Sequence, residues 1–381
     1  MAETSAKSRI ACDIDFDANG RQAGYLRAPL SRNTSGWGIV EIPIVVVRNG
    51  TGPTVLLTGG VHGDEYEGPI AVSELARSLR PEQVQGRVIM MPAVNVPAVH
   101  SNTRLSPVDN RDMNRCFPGN PRGTFSEMLA HYLDAVILPM VDISVDLHTA
   151  GHSGDTALST NMHHIADPAL MARTLAAAEA FGAPYNVVFS GVDEGATLTS
   201  SVERRGILSL GTELGGWGRV NIEGVRIARR GIRNILMHAG VIEGTPDTAQ
   251  ADGSPGTRHM RVADASCYAF APATGTFEPC NLVGQRVRAG DPAGFLHFVE
   301  DIDREPIRVT YAADGILWIG HWGGGVSGYD GIAWTSLDTR DGLAGNITGH
   351  GAILEDADDS LWFGTINGPT RYRRSGTPPG I

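Results

Sequence analysis

The sequence predicts an α/β protein built on a largely buried sheet, with a smaller all-β region following it. Three observations carry that prediction. Short apolar runs end in glycine or polar clusters, and these runs alternate with stretches of helical periodicity. From about residue 272 the texture changes to brief β runs broken by glycines, as in "APATGTFEPCNLVGQRVRAGDPAGFLHFV".

The elements follow in chain order. "TVLLTGG" (54–60) is a strand, and "PIAVSELARSL" (69–79) is a helix with Val72, Leu75, Ala76 and Leu79 on one face and Pro69 in the permitted first turn. "RVIMMPAVN" is a second strand running to Asn95. In "VDISVDLHT" Val141, Ile143, Val145 and Leu147 alternate with Asp142, Ser144, Asp146 and His148, so this is a third strand with Asp146 and His148 on the same side. "GILSLGTELGG" (206–216) is a fourth, delivering Glu213 at its end.

A chain of 381 residues suits one large domain plus a smaller one. The expected division is a catalytic α/β domain over 1–250, a linker over 247–260, a small β domain over 261–336 and a tail over 337–381. In the tail, "GILWIGHWGGGVSGYDG" and "SLWFGTINGPTRYR" share an L-W core, with Leu317 and Leu361 44 residues apart. That period suits a propeller blade, and the second copy resembles the two-component-regulator propeller repeat. One repeat and a fraction cannot close a propeller, so the tail is expected to dock on the β domain or to stay loosely ordered.

A formal charge of −11 argues against nucleic acid as a partner, since phosphate binding draws on clustered Lys and Arg. Four cysteines lie far apart with no C-x-x-C pair, as in a reducing compartment. The first twenty residues contain no apolar signal region, and no apolar run approaches the roughly 18 residues of a membrane span. The expectation is a cytoplasmic protein with no membrane partner. A homo-oligomer is left open.

The chemistry is concentrated in "TGGVHGDEYEG" (58–68), where His62 and Glu65 form an H-x-x-E pair in a turn; His148 ends another strand. Two imidazoles and a carboxylate are the ligand set of an open catalytic zinc site. H-x-x-E alone is a weak signal. It gains force because His62, Asn95, His148 and Glu213 all fall at or just beyond the carboxyl ends of predicted strands, where open α/β sheets bind ligands. Asp146 either orients a metal-bound histidine or bonds a neighbouring turn. The irregular stretch "NTRLSPVDNRDMNRCFPG" brings Arg104, Asn114 and Arg115, and an Arg–Asn pair can grip a carboxylate. His152, His163 and His164 have no acidic residue at ligand spacing, which argues against a second metal site.

Four motifs together, G-x-H-G-D-E-x-E-G, R-x-S-P-x-D-x-x-D-M-N-R-x-F-P-G, D-L-H-T-A-G and T-E-L-G-G, resemble the succinylglutamate desuccinylase/aspartoacylase family, relatives of the zinc carboxypeptidases. The resemblance spans about residues 30 to 317. Within the family, "WGIVEIPIVVVRNGTGPTVLLTGGVHGDEYEGPIAVSELAR" and "IARRGIRNILMHAGVI" are most similar to the N-alpha-acetyl-L-2,4-diaminobutyrate deacetylases. The resemblance implies a zinc-carboxypeptidase-like mixed sheet flanked by helices, with a smaller C-terminal all-β domain. It implies one zinc per chain bound by His62, Glu65 and His148, with Glu213 as general base. Arg104 would polarise the scissile carbonyl, and Asn114 and Arg115 would hold the substrate carboxylate. Asp64 and Glu67 are expected to support the turn rather than to ligate.

The implied reaction is removal of an acyl group, acetyl in the leading reading, from a small-molecule N-acyl amino acid with a free carboxylate. Two alternatives stand beside it: a carboxypeptidase-like peptidase using the same metal and base, and a catalytically silent ligand-binding or sensory module. The β domain disfavours the first because in this family it narrows the site, and Glu213 disfavours the second because a mere binder needs no base. The sequence departs from the family after "VTYAADGIL", where the β domain should close and the repeat begins instead.

Overall fold

The computed structural model describes residues 8–32, 35–190, 195–250, 253, 256–263 and 267–312, and beyond these the backbone of strand segments between 315 and 373. It divides into two compact units, Met1–Ala265 and Ser266–Ile381.

The first unit contains, in order, β1 (Ala11–Cys12), β2 (Gly20–Arg32), β3 (Ser35–Asn49), β4 (Thr54–Gly59), α1 (Glu67–Ser78), β5 (Gly86–Met91), α2 (Val96–Ser101), α3 (Phe125–Tyr132), β6 (Ile143–Leu147), β7 (Gly154–Thr156), β8 (Ser159–His163), α4 (Pro168–Phe181), β9 (Tyr185–Phe189), α5 (Leu198–Arg204), β10 (Leu208–Glu213), α6 (Ile222–His238) and β11 (Arg258–Val262). Ten of these strands form one mixed sheet in the order β1-β2-β3-β5-β4-β6-β10-β8-β9-β11. Its centre, β5-β4-β6-β10, is parallel. On one side β3, the inner strand of the long β2–β3 hairpin, runs antiparallel to β5, and on the other β8 runs antiparallel to β10.

Both faces of the central strands are covered, which is why β4, TVLLTG, is buried at every residue and carries no charge. Val55 and Leu57 pack into one core with α1, α4 and α6, while Leu56 between them packs into the opposite core with α3 and α5. That alternation is the two-residue period of a strand. Truncating a side chain such as Leu57, fully buried, to alanine costs about 2–5 kcal/mol.

In α1 the stripe Val72, Leu75, Ala76 is buried as its helical spacing predicts, and Leu79 just past the helix is buried with it. The second predicted strand is shorter than expected: β5 stops at Met91, because Pro92 has no N–H for the ladder, and Asn95 instead caps α2 by accepting the Ala98 amide. Four parallel strands, β4, β5, β6 and β10, therefore end on one edge of the sheet. His62, Asn95 and His148 lie just beyond three of them, and Glu213 is the last residue of the fourth.

The segment expected to be a linker over 247–260 is in part sheet: β11 lies parallel to β9 and completes this unit. Its sequence, RHMRV, has the polar, half-exposed character of an edge strand and so lacks the apolar signal of the buried ones. In the second unit, β12 (Thr276–Pro279), β13 (Arg286–Val287), β14 (Pro292–His297) and β15 (Ile307–Thr310) surround a small core of Ala293, Leu296 and Val309. β12, β14 and β15 form an antiparallel sheet. Further on, Thr348–Glu355, Ser360–Thr365 and Gly368–Arg373 form a three-stranded antiparallel sheet that includes the second L-W copy. Leu317 of the first copy lies outside the described residues. Among the described residues no helix is long and apolar enough to cross a membrane, and the four cysteines form no disulfide.

Candidate metal centre and active site

The turn after β4 is set by a close approach. A Cβ on Gly63 would lie 1.9 Å from the Ala98 carbonyl oxygen, so only glycine lets the turn rest on α2. The Gly63 amide donates to Thr103 O at 2.9 Å, which ties the turn to the loop carrying Arg104.

His62 and Glu65 project from this turn and meet His148 from the end of β6. His62 Nδ1 lies 2.7 Å from Glu65 Oε1, and His148 Nδ1 lies 2.8 Å from Glu65 Oε2. One donor atom from each of the three falls within 4.8 Å of the others, and all three residues are buried. This is the one such cluster found among the described residues.

The outer nitrogens are held by carboxylates. His62 Nε2 bonds Asp112 Oδ1 at 2.9 Å, and His148 Nε2 bonds Asp146 Oδ2 at 2.7 Å. Asp146 is itself fixed by the Thr58 hydroxyl, which donates to Oδ1 at 2.6 Å. With each Nε2–H donated outward, Nδ1 is the nitrogen turned to Glu65, protonated in the cationic ring and left with a lone pair for a metal once that proton is displaced.

The electrostatics agree. Burial opposes ionisation of Glu65, but the charges of His62 and His148 hold its carboxyl well below the usual carboxylate range. Burial likewise opposes charge on His148, yet Asp146 and Glu65 raise it well above the ordinary histidine value. His62 is raised too: burial and Arg104 work against its charge, Glu65 and Asp112 for it. A pocket that drives two imidazoles towards the cationic form is one that a divalent cation suits, displacing those protons. The donor set and its surroundings therefore fit a catalytic zinc ion.

Arg104 reaches the same centre. Its Nη1 donates towards His62 Nδ1 at 3.5 Å and lies 3.7 Å from Glu65 Oε1, while Nη2 pairs with Asp112 Oδ2 at 3.0 Å. Asn114 Nδ2 lies 3.4 Å from His148 Nε2, and Asn114 Oδ1 accepts the Leu198 amide at 2.9 Å. Arg115 Nη1 donates to Asn114 O at 2.8 Å. Glu213 stands at the end of β10 with Oε2 buried and without a hydrogen-bond partner among the described residues. Loss of solvent, with the Glu65 charge adding to it, pushes its carboxyl up to about 8. Such a carboxyl can exchange a proton near neutrality.

Residues 51–239 match the catalytic domain of the succinylglutamate desuccinylase/aspartoacylase family. Over 313 residues the chain is 40% identical to an N-alpha-acetyl-L-2,4-diaminobutyric acid deacetylase of Halomonas elongata, a match covering 81% of this chain and 90% of that one. The chain belongs to the succinylglutamate desuccinylase/aspartoacylase family. Among solved structures of similar fold, a succinylglutamate desuccinylase/aspartoacylase from Rhodobacter sphaeroides is 73% identical with a TM-score of 0.80, covering 82% of this chain and 94% of that one. The product-bound ectoine utilization protein EutE of Ruegeria pomeroyi is 37% identical with a TM-score of 0.79, covering 83% of this chain and 94% of that one. As a member of this family the chain is an enzyme, a hydrolase of the deacylase type.

The structure thus brings His62, Glu65, His148, Arg104 and Asn114 together around one point, with Asn95 turned to capping. Asp112 is the residue that sequence reasoning passed over. It touches His62, Arg104 and the Asn114 amide at once, and its only sequence signal is its place in the D-M-N-R run. Glu67 Oε1 accepts the Asn221 amide at 2.6 Å, which ties α1 to the start of α6. His163 does have an acidic partner, Glu203 at 2.7 Å, but a single pair makes no metal site. A cavity of about 520 Å³ lined by Asp142, Arg173, Leu208 and His238 opens at the amino ends of the strands and contains none of these groups.

Proposed function

We propose that the chain is a zinc-dependent deacylase that removes an acetyl group from the α-nitrogen of an amino acid with a free carboxylate, N-alpha-acetyl-L-2,4-diaminobutyrate being the favoured substrate. The observation that carries this reading is the juxtaposition of the three-donor cluster with Glu213, a buried side chain that feels the charges of Glu65, His148 and His62 and has an oxygen unpartnered among the described residues. His62, Glu65 and His148 would hold the ion. Zinc bound there supplies a Lewis acid and a means of acidifying water near pH 7.

The protein's own groups do the rest. Glu213 takes a proton from the attacking water and returns it to the leaving amine. Arg104, anchored by Asp112, offers its guanidinium to the developing oxyanion, a contact worth about 3–4 kcal/mol where such donors have been removed. Asn114 and Arg115, adjacent on one loop, take the substrate carboxylate. The Leu198 amide fixes Asn114 Oδ1, so Nδ2, which lies 3.4 Å from His148 Nε2, is the end turned to the centre and able to donate to that carboxylate.

The 40% identity to a deacetylase of diaminobutyrate supports acetyl over succinyl as the acyl group. The carboxypeptidase-like and silent-module alternatives gain no support from these relatives. The deciding experiment is a panel of N-acetyl-2,4-diaminobutyrate, N-acetylaspartate, N-succinylglutamate and short peptides, run on protein of measured metal content. Fastest turnover is expected for the first. Preference for a dicarboxylate or a peptide overturns the reading.

A further inference from the structure

Asp64 sits one residue before Glu65 and takes no part in the three-donor cluster. Its Oδ2 accepts two hydrogen bonds from one residue, the His152 amide at 2.9 Å and His152 Nδ1–H at 3.1 Å. The other oxygen, Oδ1, is buried and has no hydrogen-bond partner among the described residues. On its other side the loop over 151–154 is joined to the turn after β10: the Trp217 amide donates to Gly154 O and the Gly218 amide to Gly151 O, each at 2.8 Å. The His152 ring rests on Gly218, where a Cβ would lie 2.1 Å from its Cδ2 and 2.5 Å from its Nε2. The ring is therefore bracketed by the turn after β4, which carries Glu65, and the turn after β10, the strand that ends in Glu213. Its side chain is nonetheless 51% exposed. A histidine tied down from both sides yet half open to solvent has been placed, and the tie uses Nδ1, leaving Nε2 as the ring nitrogen without a hydrogen bond among the described residues.

We propose that His152, held by Asp64, is a specificity-determining residue that receives the side-chain ammonium of the amino-acid moiety; this rests on the deacylase reading and names what that site selects. In the neutral ring the proton is on Nδ1, donated to Asp64, so Nε2 presents a lone pair. A lone pair backed by a carboxylate accepts from a cationic donor such as an ammonium. It repels the carboxylate side chain of an N-acyl aspartate or glutamate, so the same pair selects against dicarboxylates. Asp64 is the positioning residue and His152 the contact.

The test measures binding of 2,4-diaminobutyrate and of 2-aminobutyrate, which lacks only the ammonium, to the zinc-loaded protein by calorimetry. The native chain should prefer the diamine by about tenfold or more, the size of one charge-assisted hydrogen bond. His152→Ala should bring the two within about twofold, with zinc content and Tm unchanged because the side chain is half exposed. Asp64→Asn should lose the same preference, and the double variant should lose no more, as expected of two residues acting through one contact. A His152→Ala protein that keeps the diamine preference, or that weakens both ligands equally, overturns the inference. Turnover of the two N-acetyl derivatives separates the two readings. Diamine preference without any hydrolysis removes the deacylase reading and leaves the ammonium site standing, whereas hydrolysis with no effect of His152 on preference does the reverse.

Discussion

Asp112 Oδ1 lies 2.9 Å from His62 Nε2, on the side of the ring away from Glu65. One carboxylate thus fixes the tautomer of a candidate ligand and, through Oδ2, the position of Arg104. Removing it should loosen both. Asp112→Ala is expected to weaken zinc binding by about 10- to 100-fold, the usual effect of losing the hydrogen-bond partner of a ligating histidine. Competition with a chelator of known affinity measures this, and unchanged affinity would remove Asp112 from the centre.

Glu213→Gln keeps the shape of the side chain and removes its ability to take a proton. Zinc content should stay near one per chain, because Glu213 is not among the three clustered donors. Turnover should fall by about 10²-fold or more. A metal-loaded variant with near-native turnover would assign the proton transfer elsewhere.

Arg115→Ala should weaken productive binding of substrates with a free α-carboxylate and matter less for the corresponding amides. Loss of a charge-assisted contact of about 1.5–3 kcal/mol corresponds to roughly a tenfold to hundredfold change in kcat/KM. Equal losses for acid and amide would show that Arg115, which donates to Asn114 O, serves only to shape its loop.

The fold around this site was legible wherever the sheet is buried on both faces. β4 and β10 announce themselves as apolar runs closed by glycine, and α1 by its stripe of Val72, Leu75 and Ala76. The same rule explains what was not legible. β11 is an edge strand whose arginines and histidine carry no apolar period, so it looked like linker. The three clustered donors could be picked out because two of them share a turn and the third ends an alternating strand. Of their supports, Asp146 could be named because it shares a strand face with His148, whereas Asp112 could not, because it lies 50 positions from His62, a separation no local pattern reports.

Gly63→Ala should be among the most damaging single-methyl additions in the chain. The new Cβ would meet backbone, Ala98 O at 1.9 Å and Ala98 C at 2.0 Å, with no side chain able to swing away. Either α2 shifts or the turn carrying His62 and Glu65 does. Overpacking of this kind costs about 1–3 kcal/mol or more, so Tm should fall together with zinc occupancy. A variant with native Tm and full zinc would mean that the turn and α2 are not packed as described.

Removal of the tail should leave the chemistry intact. Every residue given a chemical role here lies before residue 219, inside the first unit, Met1–Ala265. The H. elongata deacetylase is matched over 90% of its own length and the R. sphaeroides structure over 94%, yet each uses only about four-fifths of this chain, 81% and 82%. We place part of that surplus in the repeat-bearing segment after Ser336. Its last strands, Thr348–Glu355, Ser360–Thr365 and Gly368–Arg373, pair with one another as a self-contained antiparallel sheet. One repeat and a fraction are too few to complete a propeller. A chain ending at Ser336 should therefore keep kcat, KM and zinc content within about twofold of the full-length values, as expected when no catalytic group is touched. Loss of turnover with zinc and Tm preserved would show that the tail contributes to the active site.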